Sequence, residues 1–505
     1  MNLIILGLFL LLVCSFALIK YRKFINERDL MPPMVPGRHL FGNYFDLKKE
    51  PIHLSLSRMG QNYGHAFTIR VFGHVMVVLN SRESISQMLC TKTIEAAARP
   101  TCLLVQLATN GAQDLVFSKP NLKWLQLRTA FHKFFADMKK LHDRKDIAEI
   151  VLVDEWASMF KKFESLSHKK LAYEIKNLIY QSQSKLMSVI LFGEEVADDQ
   201  LLIEQIRSLD AMSKNVIGSL YHVMMNMRPL ENIFDSSGLS QLCKALDFQK
   251  KLLGLILDKQ TSQARQSTGT SQSDNICLRS ILDLMISLLN LDKPMFTQVQ
   301  IKNVLTELIF AGIDGVVATV NSFILFICVH KDVQQRLYEE IRKHVQADMV
   351  LLSDKKILNF TNACIHETLR LVSQIPLGIF RKTVTKSKVC GYEIPADTMV
   401  IPNLWKLHHD ESVYAEAFKF KPDRFMYNES FRVQESMQLF VFGAGKRACP
   451  GRNLALNLIF LFVSNLVKNF EFEIEDEVDK DPRQFTLGSQ LEPGSYRIKS
   501  TCRQN

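Results

Sequence analysis

One short stretch near the carboxyl end constrains this 505-residue chain more than any other: Phe442-Gly443-Ala444-Gly445-Lys446-Arg447-Ala448-Cys449-Pro450-Gly451. A single cysteine sits in a glycine-rich turn, with an arginine two residues before it and an apolar segment, Leu454 to Val463, after it. Glycines permit tight turns and let a large flat ligand approach the backbone. A cysteine at the mouth of a helix and beside a cation is expected to favour the thiolate, the form that binds metals. A buried structural cysteine is the commoner fate of a lone Cys, but the joint spacing of Phe442, Gly445, Arg447, Cys449 and Gly451 argues against it here.

That spacing fills every defined position of F-x-x-G-x-R-x-C-x-G and resembles the cysteine loop of the cytochrome P-450 superfamily. The resemblance implies a haem b (iron protoporphyrin IX) with Cys449 as the axial thiolate of the iron, held in a loop that includes Phe442, Arg447 and Gly451. It also implies a mainly α fold with small β-sheets (α+β) and one N-terminal transmembrane helix.

Composition agrees with an ordinary globular core. Hydrophobic residues at 47% and charged residues at 23% exclude a disordered or fibrous chain. Length alone does not fix the number of domains. The 10 cysteines include no C-x-x-C pair and no metal-finger spacing, which argues against a disulfide framework and for a reducing compartment. The formal charge of +10 is not gathered into a basic tract, so no nucleic-acid partner is expected. It serves solubility, or attraction to anionic lipid or an acidic partner.

Leu3 to Ile19 is an uninterrupted apolar run followed by Lys20, Arg22 and Lys23. With its flanks it is just long enough to span a bilayer. No charged region precedes it and no small-x-small cleavage site follows it, so a retained signal anchor is the better reading than a cleaved peptide. The basic cluster places the rest of the chain on the cytoplasmic side. Met31-Pro32-Pro33-Met34-Val35-Pro36-Gly37 breaks any helix. The expected organisation is an anchor at 1–22, a basic and proline-rich hinge at 23–40 and a haem-thiolate catalytic domain at 41–505.

His65 to Leu79 alternates, is rich in β-branched residues and turns at Gly73-His74, which predicts a hairpin. Much of the chain from there to Asp258 has helical period. The polar stretch Lys259 to Asn275 reads as a surface loop. Trp124 and Arg128 fall four apart on one helical face. They resemble the family's W-x-x-x-R, whose members reach a haem propionate, and the planar fork of arginine suits a carboxylate.

Thr297 to Gln300 resembles a capping box ahead of a helix reaching about His330. At ~1.5 Å per residue it spans roughly 50 Å. Its centre, Ala311-Gly312-Ile313-Asp314-Gly315, carries two glycines that each cost about 1 kcal/mol against alanine. Helix–helix packing explains such glycines, and so does a cleft for dioxygen. The family pattern A-G-x-(D/E)-T is matched at Ala311, Gly312 and Asp314, whereas Gly315 replaces the threonine that helps deliver protons. Asp314 and Thr319 are the candidates to take over that role.

Val329 to Ile341 reads as an amphipathic helix. Glu367-x-x-Arg370 and Pro422-Asp423-Arg424-Phe425 resemble the Glu–Arg–Arg lock of the superfamily, with Glu367, Arg370 and Arg424 as members. Arg381 is the candidate for the second propionate, and Phe380 stands where a proline is common. Gly391 to Pro395 and Thr398 to Asn403 read as the small sheet. His408 and His409 suggest metal ligands on paper, but adjacent histidines seldom both bind.

The order of these motifs, from anchor to cysteine loop, resembles animal microsomal members of the family. It implies a haem-thiolate monooxygenase of the endoplasmic-reticulum membrane, its catalytic domain facing the cytoplasm. Such an enzyme inserts one oxygen atom into a lipophilic molecule (a steroid, fatty acid or xenobiotic). Electrons come from NADPH through NADPH–cytochrome P-450 reductase, with cytochrome b5 as a further partner. Gly315 keeps open a lipid-peroxide isomerase or dehydratase needing no reductase, and a non-catalytic haem-binding protein is the third reading.

Overall fold

A helix of 32 residues, Gln298–Val329, is the axis on which the rest is assembled. It opens with the expected capping box: Gln300 N donates to Thr297 Oγ1 at 3.2 Å, and Thr297 N donates to Gln300 Oε1 at 2.9 Å. Its length and composition would let it cross a membrane. However, every side chain from Val316 to Cys328 is buried, which marks a helix surrounded by its own protein. The chain breaks at His330 (φ −106°, ψ 80°), so the amphipathic stretch expected to run on from Val329 is a separate helix, Lys331–His344. Helices Ile175–Phe192, Asn359–Val372 and Arg452–Asn469 pack around this axis and share its core.

The structure, a computed structural model, describes residues 30–101, 105–106, 109–141, 147–193, 247, 250–251, 253–254, 280–289, 296–488 and 490–503. The anchor expected at 1–22, the first part of the hinge and the polar stretch at 259–275 lie outside the described residues. The fold is mainly helical with small sheets, as expected.

The predicted hairpin is present as Ala66–Val71 paired with His74–Leu79, in the register Ala66 to Leu79. Its two-residue turn holds Phe72 (φ 46°) and Gly73 (φ 81°) in the left-handed region, the geometry that matches strand twist. His74–Leu79 pairs in parallel with Met399–Pro402, which pairs antiparallel with Arg381–Lys382. The carboxyl-terminal segment expected to form one small sheet therefore divides. Tyr392–Ile394 makes a hairpin with Ser387–Val389, and the turn at Asp397 (φ 63°) sends the next strand into the amino-terminal sheet. This crossing places Arg381 beside the cysteine loop: a Cβ on Gly443 would lie 3.8 Å from Arg381 Nη2.

Candidate active site

Cys449 lies between the 3-10 turn Gly445–Arg447 and the helix Arg452–Asn469. Its N–H donates to Phe442 O at 2.8 Å, closing the loop on itself. Gly445 has φ 63°, and a Cβ there would fall 2.0 Å from Leu89 O, so the loop presses its backbone on the 87–91 segment as only glycine allows. The thiol is open to an internal cavity of about 330 Å³. The surroundings of the sulfur pull in two directions. Burial raises the Cys449 pKa, and the Gly451 N–H, Arg128 and Arg452 oppose that rise without overcoming it. The turn shelters the sulfur; a coordinated cation would be needed to deprotonate it.

Four buried arginines meet on the same cavity wall: Arg99, Arg128, Arg381 and Arg447. Three belong to motifs; Arg99 was not legible, because it stands in no recognisable pattern. Arg99 Nη1 donates to Ile379 O at 2.6 Å and Phe380 O at 2.8 Å, and Arg447 Nε donates to Ala97 O at 2.8 Å. Arg128 Nη2 donates to Ala448 O, next to the cysteine. Burial, then the charges of Arg447 and Arg128, push Arg381 down to about 9. Burial and Arg128 push Arg447 down to about 10, against the pull of Asp114 and Glu307. The nearby acids compensate poorly: burial raises the pKa of both Asp114 and Glu307, and Asp114 raises that of Glu307 further, while a hydrogen bond from Glu307 favours the charged form of Asp114. Arg381 Nε is buried with no partner. A wall with this excess of positive charge suits an anionic ligand.

Trp124 takes a supporting place. Its indole N–H donates to Leu115 O at 2.9 Å, and its ring lies beneath Arg447 (4.0 Å) and Arg128 (5.2 Å). It is not one of the cavity-lining residues. Phe380, standing where a proline is common in the family, packs into the apolar cluster with Phe67 and Leu377. A more open cleft of about 1020 Å³ adjoins the site and shares Arg99, but no thiol lines it.

Glu367, Arg370 and Arg424 form one network. Arg370 donates Nε and Nη2 to the two Glu367 oxygens at 2.7 and 2.8 Å, and Arg424 Nε reaches Glu367 Oε1 at 3.0 Å. Arg370 Nη1 also donates to His408 O at 2.5 Å, tying this helix to the segment ahead of the cysteine loop. His408 is not a metal ligand: its Nδ1 meets Ser373 Oγ at 2.8 Å and its Nε2 meets Leu439 O at 2.5 Å. His409 likewise spends Nδ1 on Trp405 O and Nε2 on Leu371 O.

The central helix also lines the cavity, through Glu307, Ala311, Gly315 and Thr319, spaced four apart on one face. That row was legible in the sequence, as a carboxylate and a glycine on the same stripe of an apolar helix, but Glu307 went unrecognised. Glu307 Oε2 accepts from Leu115 N at 2.8 Å and Val116 N at 3.3 Å. The two glycines separate the two explanations offered for them. Gly312 serves packing: a Cβ there would meet Met187 Cε at 2.3 Å, and its carbonyl accepts from Gln183 Nε2 at 2.8 Å. Gly315 faces open space, where a Cβ would meet only Gln490 Nε2, at 3.6 Å. Asp314, half-buried, is not among the residues lining the cavity. Thr319 does line it, donating to Gly315 O at 2.7 Å and accepting from Gln374 Nε2 at 2.8 Å.

Comparison with known proteins agrees with this geometry. The sequence profile of the family described as Cytochrome P-450 matches residues 32–500. A steroid 17-alpha-hydroxylase/17,20 lyase of Squalus acanthias is 24% identical over 97% of this chain and 95% of its own length. Cytochrome P-450 1A5 of Gallus gallus is 26% identical over 88% and 84%. A solved zebra fish cytochrome P-450 with progesterone superposes with a TM-score of 0.75 at 19% identity, covering 89% of this chain and 99% of that one. With fold, cysteine loop and profile in agreement, the chain belongs to the cytochrome P-450 family and is an oxidoreductase.

Proposed function

We propose that this protein is a haem-thiolate monooxygenase acting on a lipophilic small molecule. The observation that carries the reading is one cavity lined together by the Cys449 thiol, four arginines and a glycine-bearing helix. Cys449 would ligate the iron, while Arg99, Arg128, Arg381 and Arg447 would take the propionates, with Trp124 beneath two of them. The haem, when bound, supplies the oxygen chemistry. In the overall reaction, substrate C–H, dioxygen, NADPH and a proton give the alcohol, water and NADP⁺.

The chain's own residues supply binding, exclusion of water and proton placement. Leu308, Ala311, Val316, Leu369 and Ile375 give the cavity apolar walls suited to a lipid-like substrate. Thr319 keeps its hydroxyl proton on Gly315 O, one turn from the usual threonine position. The relatives named for steroid hydroxylation and the zebra fish structure with progesterone support a steroid-like substrate class. The amino-terminal apolar run supports an anchor in the endoplasmic-reticulum membrane, with NADPH–cytochrome P-450 reductase as electron donor and cytochrome b5 as accessory.

Gly315 favours one second reading, a lipid-peroxide isomerase or dehydratase that needs no reductase. Reconstitution with reductase and NADPH separates the two. Substrate-stimulated oxygen consumption supports the monooxygenase, whereas turnover of a lipid hydroperoxide without NADPH or oxygen uptake supports the alternative.

A further inference from the structure

Away from the cavity lined by Cys449, three segments bring together three side chains of metal-ligating type. His65 stands just ahead of the strand Ala66–Val71, and Glu83 lies in the short helix Arg82–Ser86. Cys390 comes from far along the chain, in the turn that joins Ser387–Val389 to Tyr392–Ile394. Their ligand atoms all lie within 4.8 Å of one another, and His65 Nδ1 is 3.8 Å from Glu83 Oε2.

The neighbouring groups orient this set as an outer shell orients metal ligands. Gln87 Nε2 donates to Glu83 Oε1 at 3.1 Å, and Gln87 Oε1 accepts from Cys390 N at 2.8 Å. One amide thus ties the carboxylate to the cysteine turn and leaves Glu83 Oε2 toward His65. Ser81 Oγ lies 2.9 Å from His65 Nδ1 and steadies the ring. Arg82 is turned away, donating to Gln438 Oε1 and Tyr414 Oη, and among the described residues Glu83 pairs with no lysine or arginine. Cys390 has φ 48° and Gly391 φ 86°, a two-residue turn whose first position asparagine or glycine ordinarily fills. The thiol is therefore placed here at a cost in backbone strain.

We propose that His65, Glu83 and Cys390 form a site for a divalent cation of the zinc class, with water as the fourth ligand. Zn²⁺ accepts nitrogen, oxygen and sulfur ligands together in a tetrahedral arrangement, whereas Mg²⁺ and Ca²⁺ take oxygen. Bonds of about 2.0–2.3 Å set such ligands roughly 3.3–3.8 Å apart, so the widest separation here closes by about 1 Å on binding. The His65 and Glu83 side chains, 54% and 58% exposed, have the freedom to make that adjustment. Binding releases the Cys390 thiol proton to water. None of the three residues lines the Cys449 cavity or the adjoining cleft, so the ion acts as a structural clip. It fastens the 387–394 hairpin to the helix whose continuation, 87–91, presses on Gly445 of the cysteine loop.

Iodoacetamide modification of the EDTA-treated full chain, mapped cysteine by cysteine by mass spectrometry, tests this without any variant. A slight molar excess of Zn²⁺ should slow modification of Cys390 roughly tenfold or more, while the exposed Cys90 reacts as before and Mg²⁺ protects neither. His65→Ala should abolish the protection. Gln87→Ala, which removes only the orienting amide, should raise the Zn²⁺ concentration needed for it by roughly tenfold. The native-chain comparison decides the matter even where a variant folds poorly. Equal modification of Cys390 with and without Zn²⁺, or protection surviving His65→Ala, overturns the proposal.

Discussion

Arg370 grips Glu367 with two parallel hydrogen bonds, at 2.7 and 2.8 Å, and neither side chain has any exposed surface. The same carboxylate accepts from Arg424 Nε and from Lys421 N, both at 3.0 Å. One anion therefore balances two guanidinium groups and fixes the start of the turn at Pro422. Breaking a buried pair by removing one partner costs about 3–5 kcal/mol. Glu367→Ala should lose that much in chemical denaturation; an unchanged midpoint contradicts a structural role for the network.

The arginine wall predicts a ligand-dependent stability. Each guanidinium gains an anionic hydrogen-bond partner when a carboxylate ligand binds, worth about 1.5–3 kcal/mol. Arg99→Met and Arg381→Met should each weaken haem retention by roughly tenfold or more, measured by transfer to apomyoglobin, while leaving the haem-free chain as stable as before or more so. Equal haem loss rates in native chain and variants contradict this assignment.

The two glycines of the central helix should respond in opposite ways. Gly315→Ala meets no close atom and should stabilise the helix by about 1 kcal/mol. Gly312→Ala forces Met187 to move from 2.3 Å, and the repacking should cancel that gain or exceed it by about 1 kcal/mol. Thermal denaturation distinguishes them. Gly315→Thr should also fold and should raise product formed per NADPH consumed; no change in peroxide leakage would show that the position has no part in proton placement.

Acid sensitivity follows from buried histidines. Burial lowers His53 and His408 from 6.5 to about 4. Between those values the unfolded chain binds the extra protons, so stability is full above about pH 6.5 and falls as pH drops toward 4. The loss is on the order of 3 kcal/mol per residue. His53 packs edge-on against Trp405 at 4.7 Å, and both its ring nitrogens lack partners. His53→Phe should therefore keep the fold and flatten the decline between pH 6.5 and 4.5. An identical pH profile in that variant counts against the assignment.

The parts of the site that were legible in the sequence are those set by local spacing. The capping box at Thr297, the hairpin turn at Gly73, the cysteine loop and the Glu367–Arg370 pair each lie within a few residues, so period and turn chemistry reveal them. Arg99, Gln374 and Gln490 escaped because they reach the cavity through long-range crossings that no local pattern encodes. Glu307, Ala311, Gly315 and Thr319 share the cavity stripe, and Asp314, one position from Gly315, does not line the cavity, a difference of helical face that a linear motif does not display.

The central claim is that Cys449 is the thiolate ligand of a haem held in this cavity. The measurement that tests it most directly is the reduced, CO-bound absorption spectrum of the haem-reconstituted full chain and of Cys449→Ser. The account predicts a thiolate-type spectrum in the native chain and its complete loss in the variant, with Glu367, Arg370 and Arg424 still holding the fold by circular dichroism. A thiolate-type spectrum retained by Cys449→Ser would contradict it.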